Sequence, residues 1–184
     1  MRNLLLPLGL VAAYFLLRKK APGSGAGAGA GSGSSSVTST PPPSDFSDPR
    51  IPAGVGPLLA RVRGHIMSLK GGKGYFELDP DIVLAQAILE TGWFKSRLAV
   101  DQLNIFGMMQ PKKRPTTSTG AGPSGFATYS SLADSVEDYF IRNRYFRVPD
   151  SPDPEVYAQA VKLSGYATDP DYVKKWLAVY RMLK

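Results

Sequence analysis

The chain contains no cysteine and only one histidine, His65. The absence of cysteine excludes disulfides, zinc sites built on thiolates and cysteine nucleophiles. A single histidine excludes a histidine-rich metal site and leaves a Ser-His-Asp triad only one available base. Because His65 falls within the helical pattern of residues 57–70, we expect a surface or packing role for it. We expect neither a metal nor a cofactor.

Acidic residues are absent from the start of the chain. Residues 1–20 hold Arg2, Arg18, Lys19 and Lys20 and no acid, so they carry +4 of the formal net charge of +7. The rest of the chain has no stripe of basic residues interleaved with aromatic side chains. This charge distribution suits a membrane surface or an anionic polymer, and we expect no nucleic-acid partner.

Long hydrophobic runs are missing except at the N-terminus. Residues 4–17 are apolar apart from Pro7 and Gly9, and three basic residues follow them. As a helix this run spans about 21 Å, which is less than the ~30 Å hydrocarbon core of a bilayer. The length also fits the apolar core of a signal-like segment, but only Arg2 precedes the run and three basic residues follow it. Residues 1–20 are therefore interpreted as a short or tilted membrane anchor, with a signal-like segment as the alternative.

Residues 21–50 have low-complexity sequence. Residues 21–36 are almost entirely Gly, Ala and Ser, and three consecutive prolines occupy positions 41–43. The first part is typical of a flexible coil and the second of a stiffer extended spacer. We predict a disordered tether over residues 21–50 and one folded domain over residues 51–184.

Hydrophobic spacing in the C-terminal part of the chain is mostly helical. It predicts helices over residues 57–70, 80–89, 96–103, 131–146, 154–163 and 170–183. Residues 82–89 are apolar on nearly every face, so this helix is predicted to be central and buried. Residues 110–128 are rich in Pro, Gly, Thr and Ser and are predicted to form a loop or small hairpin. The expected fold is mainly α, a helical body with a short small lobe.

Glu90 lies at the end of the apolar helix and is followed two residues later by Gly92 and then by Trp93. Apolar neighbours and the negative end of a helix dipole both raise the pKa of a carboxyl group. A carboxylic acid that stays protonated near neutral pH can serve as a general acid. A partly buried structural Glu is the more frequent reading of such a position, and the local pattern alone leaves both open.

Several sequence blocks after residue 55 form one ordered set. They are AQAILETGW (85–93), KS (95–96), NIFG (104–107), FATY (126–129), SVEDY (135–139) and GYATDPDY (165–172). Together they resemble the glucosaminidase family of peptidoglycan hydrolases, glycoside hydrolase family 73. The resemblance implies an α+β lysozyme-like fold with a groove between the helical body and the small lobe. It also implies cleavage of the β-1,4 glycan strand of peptidoglycan.

The same resemblance implies roles for single residues. Glu90 matches the general acid of the family, and Tyr166 matches its tyrosine near the reacting sugar. The candidate substrate-binding residues are Trp93, Asn104, Phe106, Gly107 and Tyr129. Core packing is an equal alternative for the aromatic members, and a local backbone cap is the alternative for the asparagine.

The second catalytic group of the family has no evident match. Residues 102–133 contain no Asp or Glu, and the short lobe over residues 111–125 carries Lys112, Lys113 and Arg114. A run of charges in such a loop is usually solvated. The remaining acids within reach fit better as solvated helix positions or, for the last, an N-cap: Asp101, Asp134, Glu137 and Asp169.

Three functions therefore stay open. A glucosaminidase could work with one acid if the 2-acetamido group of the substrate assists. A lytic transglycosylase would use the muramoyl 6-hydroxyl and give 1,6-anhydro products, and residues 107–110 (GMMQ) resemble the Gly-Leu-Met-Gln motif of those enzymes. The third is a peptidoglycan-binding module without catalysis.

The predicted location is a membrane, with the domain acting on the cell wall. Residues 4–17 would provide the membrane contact, and peptidoglycan glycan strands would be the partner. The positive-inside rule places the basic residues after the anchor, and hence the domain, on the cytoplasmic side. That is the wrong side for a cell-wall enzyme in an ordinary cell envelope. An internal virion membrane would resolve the conflict, and a bacterial envelope is the alternative.

Overall fold

A computed structural model of the chain describes Phe46 and residues 48–184. The predicted anchor over residues 4–17 and most of the predicted tether lie outside these residues. Phe46 and Ile51 pack against the hydrophobic core, so the packed unit includes a residue just before the predicted boundary. None of the helices in this part of the chain is long and apolar enough to cross a membrane.

Helices make up most of the described structure. They are α1 (Gly56–Lys70), α2 (Pro80–Thr91), α3 (Arg97–Gln102), α4 (Leu132–Tyr145), α5 (Pro154–Val161) and α6 (Tyr172–Tyr180). Strands β1 (Gly120–Ala121) and β2 (Ala127–Thr128) form an antiparallel pair between α3 and α4. An irregular π-type turn, Lys162–Tyr166, leads from α5 toward α6. The predicted mainly helical fold with a small lobe is confirmed.

Helix α2 is the centre of the molecule. All residues from 82 to 88 are buried, and the helix packs against both α1 and α6. Asp79 caps its N-terminus by accepting a hydrogen bond from the Asp81 N–H at 2.9 Å, with Pro80 in the first turn. The predicted start and the predicted burial of this helix are both confirmed.

The last helix is shorter than predicted. It begins at Tyr172 instead of residue 170, because the segment before it forms a turn. The Asp169 carboxylate accepts from the Asp171 N–H at 2.9 Å, and the Asp169 carbonyl accepts from the Tyr172 N–H at 3.2 Å. The prediction that Asp169 is the N-cap is therefore wrong, and Asp171 occupies that position.

The small lobe is the predicted loop and a minimal hairpin. Gly120 pairs with Thr128, and Met109 forms an isolated bridge with Phe126. At the hairpin end, a Cβ atom on Gly122 would lie 2.6 Å from the Gln102 Oε1 atom and 2.9 Å from a Thr128 methyl carbon. A larger residue at this position would have to displace the Gln102 and Thr128 side chains.

A buried ion pair joins the small lobe to α4. The Arg114 guanidinium donates to both carboxylate oxygens of Asp138, at 2.6 and 2.9 Å. The side chains are 7% and 0% exposed, respectively. The Tyr129 hydroxyl donates to the same carboxylate at 2.8 Å. The expectation of a solvated basic run is wrong for Arg114, although its neighbours Lys112 and Lys113 are exposed.

Candidate active site

Glu90 lies in the last turn of α2, and its side chain is partly exposed. The Tyr172 hydroxyl, from the start of α6, donates a hydrogen bond of 2.6 Å to its Oε1 atom. Burial raises the pKa of Glu90 from its ordinary 4.5 to about 7, and the Tyr172 hydrogen bond offsets part of that rise. The carboxyl group is therefore substantially protonated near neutral pH.

A tight turn follows Glu90 and ends the helix. Gly92, Trp93 and Phe94 all have left-handed backbone conformations, with φ of 57°, 62° and 61°. For residues with a Cβ this conformation costs roughly 1–2 kcal/mol each. The Thr91 hydroxyl stabilises the turn by accepting from the Phe94 N–H at 2.9 Å and donating to a carbonyl of the preceding helical turn at 2.6 Å.

Replacing Thr91 with Val should destabilise this turn. The valine methyl groups cannot make either hydrogen bond, so we expect the free energy of unfolding to fall by about 1–2 kcal/mol. Urea denaturation would measure the change. Thr91→Ser is the matched control because it keeps the hydroxyl. Equal stability of the Val and Ser variants would contradict the role given to the hydroxyl.

Tyr166 and Tyr172 form a pair beside Glu90. Their ring centroids are 6.1 Å apart, and the Tyr166 hydroxyl donates to the Phe106 carbonyl. Burial raises the pKa of both phenols well above the ordinary value, and the charge of Glu90 raises them further. Both hydroxyls therefore stay protonated near neutral pH and act as hydrogen-bond donors.

Arg142, a buried residue of α4, holds the turn that carries Tyr166. Its Nη1 atom donates to the Ser164 hydroxyl at 2.9 Å, and its Nη2 atom to the Ser164 carbonyl at 3.3 Å. The guanidinium carbon lies 4.7 Å from the Tyr166 ring centroid and 4.8 Å from that of Phe146. These contacts fix the tyrosine relative to the helical body.

A cavity of about 500 Å³ opens next to this tyrosine. The small lobe and the end of α4 supply most of its walls, and the turn after α5 closes one side. Its lining comprises residues 107–114, Arg142, Tyr145, Phe146 and residues 164–166. Glu90 is not part of the lining. Tyr166 lines the cavity and packs beside Tyr172, so the tyrosine pair connects the cavity to the carboxyl group.

Of the predicted aromatic residues, two lie inside the protein. The Phe106 ring is fully buried and stacks on Tyr139 with centroids 4.3 Å apart. Tyr129 is buried with its hydroxyl on Asp138. Neither ring presents a surface to a glycan in this structure, so their positions favour the packing alternative. Trp93 is partly exposed next to Glu90 and stays a candidate.

Asn104 is fully buried and binds only the protein backbone. Its amide nitrogen donates to the carbonyls of Met108 and Ala127, at 2.8 and 2.9 Å, and its oxygen accepts from the Met108 N–H at 3.0 Å. This arrangement matches the cap alternative and shapes the loop that enters the small lobe. Gly107, in the same loop, lines the cavity.

Exposed aromatic side chains line the cavity where sequence reasoning did not place them. Tyr145 is 51% and Phe146 47% exposed, with ring centroids 5.1 Å apart. The predicted helix over residues 131–146 places Tyr145 at helical spacing with the apolar residues of α4, which favoured a buried position. The sequence did contain one indication. Tyr145 and Phe146 are adjacent at the end of the helix, and two adjacent helical residues cannot both face the core.

Three of the four other candidate acids have partners of their own, and Asp101 is exposed. Glu137 pairs with Lys73 and Asp169 with Lys175, both at 2.6 Å. Asp134 accepts from Ser131 at 2.9 Å. Within Phe46 and residues 48–184, the hydrogen bond from Tyr172 is the only one that the Glu90 carboxyl makes. The same residues hold no group of three or more histidines and acids that could bind a metal.

Curated relatives resemble part of this chain. It is 34% identical over 119 residues to the exo-glucosaminidase LytG of Bacillus subtilis, a match covering 54% of this chain and 42% of LytG. It is 32% identical over 128 residues to the peptidoglycan hydrolase FlgJ of Pseudomonas aeruginosa, covering 58% and 32%. The chain thus matches less than half the length of these relatives.

Solved structures share the fold. The glycoside hydrolase domain of Salmonella typhimurium FlgJ aligns with a TM-score of 0.52 and 27% identity, covering 70% of this chain and 87% of that one. A peptidoglycan hydrolase from Sphingomonas sp. A1 aligns with a TM-score of 0.53 and 27% identity, covering 66% and 86%.

The family description Glucosaminidase, mannosyl-glycoprotein endo-beta-N-acetylglucosaminidase, matches residues 73–184, which is more than half of the chain. This region includes Glu90, Tyr166, Tyr172 and the whole small lobe. The chain belongs to the glucosaminidase family.

Proposed function

We propose that the chain is a peptidoglycan hydrolase of the endo-β-N-acetylglucosaminidase type, with Glu90 as the general acid. The observation that carries the proposal is a partly exposed carboxyl group with a pKa of about 7 at the end of a buried helix. A carboxylic acid poised near the working pH is suited to proton donation. Family membership and the peptidoglycan hydrolases among the relatives support the substrate.

The hydrogen bond at Glu90 suggests which oxygen carries the proton. Tyr172 donates to Oε1, so Oε1 acts as an acceptor and Oε2 is left to hold the transferable proton. The proton passes from Oε2 to the glycosidic oxygen as the bond to C1 breaks. The carboxylate that forms keeps the Tyr172 hydrogen bond, which stabilises its charge.

The reaction also needs a nucleophile at C1, and the small lobe has no acid to provide or activate one. The substrate 2-acetamido oxygen can attack C1 and form a cyclic oxazolinium ion, which water then opens to a reducing N-acetylglucosamine end. This route needs one carboxyl group and gives retention of configuration.

A lytic transglycosylase is the second candidate, and the same lack of a second acid favours it. There the muramoyl 6-hydroxyl attacks C1 of its own sugar and produces a 1,6-anhydro end without water. The third candidate is a module that binds peptidoglycan and does not cleave it.

Product analysis separates these functions. Purified peptidoglycan would be digested with the 184-residue chain, and the soluble fragments read by mass spectrometry. We expect fragments with reducing N-acetylglucosamine ends. Fragments with 1,6-anhydro-muramyl ends would show instead that the chain is a lytic transglycosylase. Binding to the pellet without soluble products would indicate the module. Release of N-acetylglucosamine alone would indicate exo cleavage, the activity in the name of LytG.

Tyr172→Phe should move the pH profile of cleavage to higher pH. The Tyr172 hydroxyl lowers the pKa of Glu90, because it stabilises the charged carboxylate. Without it, the pKa rises above about 7 and the acid stays protonated further into the alkaline range. Activity measured from pH 5 to pH 9 should therefore show its alkaline limb displaced upward. A displacement downward would contradict this role.

For location, we propose that residues 4–17 bind a membrane and that residues 21–50 tether the domain, in a bacterial envelope or a membrane-containing virion. The apolar run and the basic residues after it support the proposal. Co-flotation with anionic liposomes tests it. The chain without residues 1–20 should stay at the bottom of the gradient, and flotation of both would refute the anchor.

A further inference from the structure

The cavity beside Tyr166 is lined by basic residues and by no acidic one. Lys112, Lys113, Arg114 and Arg142 contribute to its walls, and none of the lining residues is Asp or Glu. Glycan hydroxyl and acetamido groups are neutral and do not call for such a lining. A concentration of positive charge in a concave site instead favours an anionic ligand.

The four cations are not equivalent. Arg114 is neutralised by its bidentate pair with the buried Asp138 carboxylate. Lys112 and Lys113 are exposed, and neither forms a hydrogen bond or ion pair within the described part of the chain. Arg142 is 8% exposed, and no carboxylate of the residues from 48 to 184 lies within ion-pairing distance of it. Of the two buried cations in the lining, Arg114 has a carboxylate partner and Arg142 has none among the described residues.

The guanidinium of Arg142 has one edge free. Nη1 donates to Asn143 and to the Ser164 hydroxyl, and Nη2 donates once, to the Ser164 carbonyl. Nε and Nη2 share one edge of the guanidinium, and the Nε–H and one of the two Nη2–H groups make no hydrogen bond to a described residue. Among the described residues, the only fully buried side-chain polar atom without a partner is Gln102 Oε1, so the Arg142 Nε atom keeps some accessible surface, and Arg142 lines the cavity.

That free edge has the geometry of a carboxylate site. Two parallel N–H groups on one side of a guanidinium match the two oxygens of a carboxylate. The rings of Tyr166 and Phe146 lie over the guanidinium at 4.7 and 4.8 Å and hold its plane, so little orientational freedom is lost on binding.

We propose that Arg142, with Lys112 and Lys113, forms a subsite for a carboxylate borne on the 3-O-lactyl arm of a muramyl residue. The inference rests on the proposed function, because it assumes a peptidoglycan strand. The carboxylate is either the free lactyl group of a strand without peptide or a carboxylate of the attached peptide. N-acetylglucosaminyl units lack this arm, so the subsite would bind muramyl units in preference to them. It would therefore select a muramyl unit for the cavity beside Tyr166.

The test measures the binding of small sugars by NMR titration. The full 184-residue chain is kept in detergent micelles throughout. The probes are N-acetylglucosamine, N-acetylmuramic acid and muramyl dipeptide, whose lactyl group is an amide and whose carboxylate lies on the peptide. We expect at least one anionic probe to bind about tenfold more tightly than N-acetylglucosamine, the difference expected of a charged hydrogen bond. Tighter binding of N-acetylmuramic acid assigns the lactyl carboxylate, and tighter binding of muramyl dipeptide assigns the peptide.

Variants then locate the preference. Lys112→Gln/Lys113→Gln and Arg142→Gln should each reduce it at least threefold. Arg61→Gln/Lys174→Gln removes two exposed charges elsewhere and should leave it unchanged. Ser164→Ala removes one hydrogen bond from the other edge of Arg142 and should also leave it unchanged.

Two results would overturn the subsite. One is equal binding of all three sugars by the parent chain. The other is a preference that survives the lysine pair, or that Ser164→Ala lowers as much as Arg142→Gln does, since Arg142 would then only hold the turn. Because binding is measured without cleavage, failure of the proposed hydrolysis would appear separately, as absence of products from peptidoglycan.

Discussion

Glu90→Gln should reduce peptidoglycan cleavage by roughly 10²- to 10⁴-fold, the usual contribution of a general acid. The amide keeps the size of the side chain, and its oxygen can still accept from the Tyr172 hydroxyl that now binds Oε1 at 2.6 Å. What it loses is the transferable proton. Release of soluble fragments over time, measured at pH 6 for both proteins, gives the ratio.

The same substitution should stabilise the fold at alkaline pH. The folded pKa of Glu90, about 7, lies above its ordinary 4.5. Between these values the unfolded chain loses the proton before the folded one, so the raised pKa destabilises the protein progressively from pH 4.5 to 7 and fully above 7. Gln cannot ionise, and the variant should therefore unfold at a higher temperature than the parent at pH 8 and at a similar one at pH 4.

The combination of lost activity and increased stability distinguishes a catalytic acid from a structural one. A Glu that held the helix end together would lose stability on substitution at every pH. Glu155→Gln, an exposed position in the first turn of α5, is the matched control and should change activity little. Cleavage by Glu90→Gln at the parental rate would refute the assignment of the acid.

Much of the fold was predictable because its signals are local. Asp79 and Pro80 mark the start of α2, and the apolar run that follows these helix-start signals indicates a buried helix. Gly92 marks its end in the required left-handed conformation. The apolar surroundings of Glu90 were predictable for the same reason, because Glu90 belongs to this helix and its apolar neighbours are adjacent in sequence.

The cavity was less predictable because its walls come from distant parts of the chain. A helical pattern says which side chains share a face but not whether that face is covered. Nothing in the spacing distinguishes Tyr139, which is buried, from Tyr145, which lines the cavity. The family pattern likewise could not reveal that the Phe106 ring stacks in the core while its carbonyl accepts from Tyr166.

The ion pair between Arg114 and Asp138 shows the same limit most clearly. The residues are 24 positions apart, in a loop and a helix, and no periodicity relates them. Arg114 was expected to be solvated with the rest of the basic run, and nothing in the sequence marked Asp138 as its partner. Only the folded lobe brings them together, in a site where the Asp138 carboxylate is fully buried, so the loss of Arg114 alone would leave that charge without a counter-ion.

Arg114→Met should accordingly lower the free energy of unfolding by about 3–5 kcal/mol, because it leaves the Asp138 carboxylate buried without its cation. The Tyr129 hydroxyl supplies one hydrogen bond to that carboxylate, which cannot replace two from a guanidinium. Urea denaturation at pH 7 measures the loss. Lys113→Met, at the exposed neighbouring position, is the control and should change stability by less than about 0.5 kcal/mol.

A double variant tests whether the loss comes from the unpaired charge. In Arg114→Met/Asp138→Asn no charge is left in the site, so the double variant should be more stable than Arg114→Met alone. If the two substitutions acted independently, their losses would add and the double variant would be the less stable of the two. If the losses simply add, the two side chains do not compensate each other. Additive losses would therefore show that the unpaired Asp138 charge is not what destabilises Arg114→Met.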